Sequence, residues 1–299
     1  MGTPDFAVAS LDILVKNGFN VVAVITAPDK PAGRGLQLQE SAVKKYAVAN
    51  NLPVLQPEKL KNPAFIEELR ALKADLQVVV AFRMLPEMVW DMPSEGTINV
   101  HASLLPQYRG AAPINWAIIN GEKSSGVTTF KLQHEIDTGD VLYSQEVPIR
   151  EDETAGELHD ALMQTGADLL LKTVQSIAAG TAKGTPQAHF EAADIKHAPK
   201  IFKETCKINW EASLDTVYNL VRGLSPYPAA WSTLQGKSMK IYKAHKEHIQ
   251  PTIAPGEYET DQKTFLKIAA TDGYLVLDEI QLEGKKKMNV VEFLRGYRF

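Results

Sequence analysis

Apolar positions in the first half of the chain fall into short runs of two alternating kinds. Asn20–Thr26 (NVVAVIT) is a β-branched run, and Leu76–Ala81 (LQVVVA) is apolar nearly throughout, as a strand buried on both faces should be. Thr97–His101, Val127–Leu132 and Val141–Val147 read as further strands. Between them the spacing turns helical. Ser41–Asn50 predicts a helix with Ser41 as N-cap, and Pro63–Leu72 a helix with proline near its start. Pro113–Asn120 predicts a helix ended by Gly121. Thr154–Ala179 predicts a long one, with Thr154 and Glu157 spaced as a capping box. Such alternation predicts an α/β fold with a mainly parallel sheet flanked by helices.

The pattern changes after residue 180. Residues 181–200 are polar and irregular, contain Pro186 and Pro199, and read as a linker. Beyond one helical segment at Leu214–Arg222, short strands dominate: Ala230–Leu234, Ser238–Ala244, Thr264–Ala269 and Gly273–Leu282. Turn residues separate them, which predicts a small β-barrel. The expected organisation is therefore a first domain over 1–180, a linker over 181–200 and a barrel domain over 201–299.

Composition narrows the class. The 299 residues are 44% hydrophobic and 23% charged, ordinary values for a globular chain of about two domains. No apolar run reaches the roughly 18 residues of a membrane span, and the start lacks the charged and apolar regions of a signal peptide. Cys206 is the only cysteine, which excludes an internal disulfide and a cysteine-based zinc site. A reducing cytoplasm is the expected setting. The net charge of -4 is uneven: residues 200–299 hold 15 Lys and Arg against 12 Asp and Glu, and residues 1–199 hold 17 against 24. A mildly basic last third suits a nucleic-acid partner, although an excess without a clustered face is also ordinary surface charge.

Neither G-x-G-x-x-G nor G-x-x-x-x-G-K-[ST] occurs, so the strand ends lack the usual dinucleotide and phosphate signatures. Asn99 and His101 lie two apart at the end of a predicted strand, so both point to one face at the sheet's carboxyl edge, where open α/β sheets bind ligands. Alone the pair is equally a turn cap and a surface histidine. Asp137 lies in HEIDTGD between two strands, a sequence with the chemistry of a hairpin turn. Brought together, the three suit acyl transfer to an amine: Asn donates to a developing oxyanion, His shuttles a proton, and Asp orients His and accepts protons. Two loops stand out besides. SLLPQYRGAAPINWAI (103–118) is rigid, with Arg109 near its tip. Pro28–Gln37 (PDKPAGRGLQ) has little to bury and carries Lys30 and Arg34, two cations that suit an anionic partner.

These segments together closely resemble the methionyl-tRNA formyltransferase family. The resemblance runs along nearly the whole chain: GTPDFA at 2–7, PDKPAGRG at 28–35, INVHASLLPQYRGAAPINWAI at 98–118, GVTTF at 126–130, IDTGD at 136–140, KINW at 207–210, RGLSPYPAAW at 222–231 and LEGKKKM at 282–288. It implies a Rossmann-like formyltransferase domain followed by a barrel of the OB type. It implies a formyl group moved from 10-formyltetrahydrofolate, a co-substrate, to the amino group of initiator methionyl-tRNA, by a monomer without metal. Asn99, His101 and Asp137 would be catalytic. Phe82, Arg83, Met84 and Leu85, with Ser103, Leu104, Leu105 and Pro106, would line the folate site, though FRM at 82–84 departs from the Tyr-Gly often seen there. Lys30 and Arg34, and Lys285, Lys286 and Lys287 on the barrel, would meet the tRNA. In the family a hydrophobic strand precedes the GTPDF turn, whereas this chain opens on the turn. Either a gap in the sheet or a poorly ordered first helix, and about 5–10 further residues ahead of Met1, are expected.

Three alternatives belong beside this reading. Glycinamide ribonucleotide formyltransferase resembles the catalytic half but leaves the barrel and PAGRG loop unexplained. Sugar-amine formyltransferases share SLLPxYRG and resemble the chain less well at GAAP and DTGD. A non-catalytic RNA-binding module would have no use for Asn99, His101 and Asp137.

Overall fold

The structure, a computed structural model, describes residues 1–32, 37–187 and 195–299. The chain forms two compact units, neither a single stretch. One comprises Met1–Gly110, Gly126–Val147 and His159–His197, the other Ala111–Ser125, Pro148–Leu158 and Ala198–Phe299. Ala111–Ser125 and Pro148–Leu158, which fall inside the expected 1–180 domain, thus cluster with the C-terminal unit. Local chemistry accounts for the first exchange. The helix Pro113–Ile119 lies against the helix Leu214–Leu224, Asn115 Nδ2 donates to the Gly223 carbonyl at 2.8 Å, and a Cβ on Gly223 would meet Ile119 Cγ1 at 2.7 Å.

The first unit is built on a four-stranded sheet in the order Gln77–Val80, Thr97–His101, Ser124–Lys131, Val141–Pro148. The first pair is parallel, with Val79 opposite Asn99. The next is antiparallel, with Asn99 opposite Phe130. The sheet is therefore parallel on one side of Thr97–His101 only. Beyond Ser124–Lys131 the turn through HEIDTGD, too short for a parallel crossover, leads back as a hairpin into Val141–Pro148. Val24–Ile25 and Val54–Leu55 form a separate parallel pair. The long helix Ala155–Ala178 is opened by the expected reciprocal box: the Thr154 N–H donates to Glu157 Oε2 at 2.8 Å and the Glu157 N–H to Thr154 Oγ1 at 3.3 Å. It lies close to the sheet at Gly166, where a Cβ would stand 3.3 Å from Val100 Cγ1.

The expected strand Asn20–Thr26 shrinks to Val24–Ile25, the only part with a ladder partner. Between this strand and Gln77–Val80 lies a cavity of about 660 Å³, lined by Leu14, Val22, Val24, Val78, Val80 and Val174 among others. Met1 and Gly2 span the two strands at one end. The Val80 N–H donates to the Met1 carbonyl at 2.9 Å and the Gly2 N–H to the Ile25 carbonyl at 3.0 Å. Only glycine fits at position 2, since a Cβ would meet Ala7 Cβ at 2.5 Å and the Val80 carbonyl oxygen at 2.8 Å.

In the second unit, Leu214, Val217, Val221 and Leu224 form one apolar stripe of the helix Leu214–Leu224 and are fully covered. They share a core with Met239, Ile241, Leu275 and Ile280 of an antiparallel sheet. Its order is Ala230–Leu234, Lys237–Glu247, Tyr274–Leu282, Leu266–Ala269, Tyr258–Thr260, with Met288–Asn289 added to Tyr274–Leu282. The register of Lys237–Glu247 slips between Ile241 and Ala244, a bulge that bends and twists a long strand. Among the described residues the two outermost strands do not pair, so the sheet is an antiparallel half-barrel.

Candidate active site

His101 closes the strand Thr97–His101 and is 7% exposed. Its ring lies edge-on to Phe130, centroids 6.5 Å apart, on the neighbouring strand. Nε2 is 2.9 Å from the Tyr108 carbonyl, which only accepts, so Nε2 carries the hydrogen and donates. That leaves Nδ1 facing Asp137, whose Oδ2 is 3.9 Å away, beyond hydrogen-bond length. Asp137 Oδ2 accepts the Gly110 N–H at 3.1 Å. The aspartate stands at φ 56, in the left-handed region that Asp tolerates better than most residues. Asn99, half-buried two positions before His101 on the same face of its strand, makes no side-chain hydrogen bond among the described residues. The site thus holds an uncommitted amide, a ring fixed through one nitrogen, and a carboxylate fixed through one oxygen.

The segments read as folate-lining follow the carboxyl ends of two adjacent parallel strands. Ser103 Oγ donates to the Gln107 carbonyl at 2.7 Å, and the Leu105 N–H donates to Thr128 Oγ1 at 3.2 Å. Leu105 and Pro106 are joined by a cis peptide. Leu104 covers Gly126, where a Cβ would meet Leu104 Cδ2 at 2.5 Å. In the other segment Phe82 packs at the edge of the core and Leu85 is buried in it with Val79 and Val89, while Met84 is 73% exposed. The Arg83 guanidinium donates to the Pro57 and Glu58 carbonyls and so leans on a neighbouring loop.

The cations divide. Lys30 is exposed on Lys30–Ala32, which pairs with Gln37–Gln39, so the arms of this cationic loop form a hairpin. At its base Lys44 is hydrogen-bonded to Asp29, which holds the Asp29 carboxyl below the usual carboxylate range. Arg34 lies outside the described residues. On the half-barrel, Lys285 and Lys286 are exposed, but Lys287 is paired with Glu279 at 2.7 Å and lies over the Tyr242 ring. The sequence reading misses Tyr108 and Gly110 as partners of the site, and misses Lys203 and Lys207, both 5.8 Å from the Trp231 ring centroid. Among the described residues no group of three or more His, Cys, Asp or Glu could hold a metal ion, and no helix is long and apolar enough to cross a membrane.

Comparison with known proteins agrees with this architecture. The family model for formyl transferases matches residues 1–174, and that for the formyl transferase C-terminal domain matches residues 200–298. A methionyl-tRNA formyltransferase of Parabacteroides distasonis is 56% identical over 306 residues, covering 100% of this chain and 94% of the relative. One of Flavobacterium johnsoniae is 52% identical over 303 residues, covering 100% and 95%. Among solved structures, an N-formyltransferase from Helicobacter canadensis in complex with folinic acid and dTDP-3-aminofucose superposes with a TM-score of 0.69 at 23% identity, covering 96% of this chain and 97% of that one. HypX from Aquifex aeolicus in complex with tetrahydrofolic acid gives 0.61 at 24% identity, covering 83% and 43%. At those identities the solved structures speak for the fold alone.

Proposed function

The chain belongs to the formyl transferase family, and on that premise we propose how its residues divide the work of moving a formyl group to methionyl-tRNA. The acceptor is the amino group of the methionyl ester and the donor is 10-formyltetrahydrofolate. The single observation that carries the reading is the meeting of His101 and Asp137 at the carboxyl edge of the sheet, on the strand that bears Asn99. The amine of an aminoacyl ester is partly neutral near pH 7 and attacks the formyl carbon without a strong base. Asn99 donates to the oxyanion that forms. As the bond from carbon to N10 breaks, the proton lost by the incoming amine is carried to the departing nitrogen through His101 Nδ1, with Asp137 orienting the ring. An oxyanion donor is worth about 10²–10³ in rate and a proton-transfer group roughly 10²–10⁴.

Phe82–Leu85 and Ser103–Pro106 flank the folate, with backbone and exposed atoms at 82–84 doing more than the buried Leu85 side chain. The C-terminal half-barrel, which we take to be of the OB type, presents Lys285 and Lys286 to the tRNA. Residues 1–180 carry the chemistry and part of the tRNA contact, and 201–299 the rest of it, in a cytoplasmic monomer. Purified chain given 10-formyltetrahydrofolate is expected to release tetrahydrofolate when methionyl-tRNA is present and not with uncharged tRNA. Release at the same rate with uncharged tRNA would sink the reading. Arg34, in the same cationic segment of the sequence as Lys30, is assigned to the tRNA backbone. Arg34→Ala is expected to raise KM for methionyl-tRNA and flatten its salt dependence, leaving the folate KM unchanged. The opposite pattern, a changed folate KM alone, contradicts that assignment.

A further inference from the structure

Asp137 combines two demands that do not usually go together. Its carboxylate must hold one position beside His101, and its backbone sits at φ 56, a sparsely populated conformation that persists only where the surroundings over-determine it. Much of that determination comes from a residue far away in sequence. Gln187 Nε2 lies 2.8 Å from the Asp137 carbonyl and 2.9 Å from the Gly139 carbonyl, so both hydrogens of one amide span the turn that carries the aspartate. Its Oε1 accepts from Arg109 Nε at 3.2 Å and Nη2 at 2.5 Å. This orientation of the amide is forced by its neighbours. A guanidinium only donates and the two carbonyls only accept, so a flipped amide would oppose like to like on both sides. Arg109 is followed by Gly110, whose N–H binds the Asp137 carboxylate, and preceded by Tyr108, whose carbonyl binds His101. The bonds close a ring that runs from the Asp137 carboxylate through Gly110, the Arg109 guanidinium and the Gln187 amide to the Asp137 carbonyl.

We propose that Gln187, braced by Arg109, is a positioning residue that fixes Asp137 against His101. It touches no reacting atom in this assignment and acts only through the aspartate, so the inference rests on the catalytic reading of Asp137. The segment that bears Gln187 does not depend on it for its own place. Thr185 is tied by two backbone bonds of 2.8 Å to Val141, at the start of the neighbouring strand. Removing the amide should therefore free the turn locally and leave the fold intact.

The test compares Gln187→Ala, Asp137→Asn and the double variant with wild type, in formyl transfer from 10-formyltetrahydrofolate to methionyl-tRNA. A displacement of about 1 Å of a group at a reacting centre can cost about 10²-fold in rate. Gln187→Ala is expected to lower kcat by about 10–100-fold, with both KM values and the melting temperature near wild type. Because Gln187 acts through Asp137, the double variant is expected to be no slower than Asp137→Asn alone. A Gln187→Ala kcat within about twofold of wild type, or losses that multiply in the double variant, would overturn the assignment while Asp137→Asn still reports the catalytic site. Full activity in Asp137→Asn would overturn both the site and the inference built on it.

Discussion

Replacing His101 with alanine is expected to lower kcat for formyl transfer by about 10²–10⁴-fold, the range for loss of a proton-transfer group. The expectation follows from where the ring's two nitrogens go. Nε2 is committed to the Tyr108 carbonyl, so the ring is held rather than free to turn, and Nδ1 faces Asp137 and is left for proton transfer. Removing the ring takes away the group assigned to carry the proton from the incoming to the departing nitrogen. Losing this buried ring and its bond to the Tyr108 carbonyl also costs the fold about 1–3 kcal/mol, which leaves it folded with a lower melting temperature. KM for either substrate should hardly move, since the lost interaction belongs to the transition state. Steady-state kinetics checks this directly. A kcat within tenfold of wild type, with the protein folded, would remove His101 from the mechanism.

The second large effect is expected at a residue with no side chain. A Cβ placed on Gly139 would stand 1.7 Å from the Lys131 carbonyl oxygen and 2.9 Å from its carbon. Both atoms are backbone, and they belong to the strand that the turn leaves, where the Lys131 N–H donates to the Asp140 carbonyl at 3.0 Å. Nothing flexible is available to give way. Gly139→Ala must therefore shift the turn itself, and with it Asp137 two residues earlier. Overpacking of this kind costs about 1–3 kcal/mol, and misplacing the carboxylate costs about 10²-fold in kcat. The melting temperature and kcat should thus fall together. An alanine variant with wild-type melting and wild-type turnover would mean that the turn can open without moving Asp137.

The parts of the fold that could be read from the chain were those that local chemistry decides. Thr97–His101 begins and ends where its β-branched run does, and Thr154 with Glu157 caps a helix as the spacing requires. Ser41 accepts from the Lys44 N–H as an N-cap should. What escaped depends on partners. Asn20–Thr26 has the composition of a strand, yet only Val24 and Ile25 are in a ladder, because a strand exists only where a neighbour bonds it. The hairpin arms Lys30–Ala32 and Gln37–Gln39 are three residues each, too short for an alternation to mark them.

The site divides in the same way. Asn99 and His101 were legible because two residues share a face of one strand, and Asp137 because turn chemistry stands out between strands. Gln187 was not legible: it sits in a polar, irregular stretch and reaches back some 50 positions to Asp137. Nor was the pairing of Lys287 with Glu279, which depends on the antiparallel pairing of Met288–Asn289 with Tyr274–Leu282. A run of three lysines announces charge, but only the paired strand shows which of them is neutralised.

The most direct measurement is a comparison of kcat/KM for three acceptors, with 10-formyltetrahydrofolate as donor: methionyl-tRNA, glycinamide ribonucleotide and a nucleotide-linked amino sugar. It should be made for wild type and for Asn99→Ala. Wild type is expected to formylate methionyl-tRNA and to leave the two small amines essentially unchanged. Asn99→Ala, which lacks the oxyanion donor, is expected to lose about 10²–10³-fold on methionyl-tRNA. Efficient formylation of either small amine in place of methionyl-tRNA, or an Asn99→Ala variant as fast as wild type, would contradict the account.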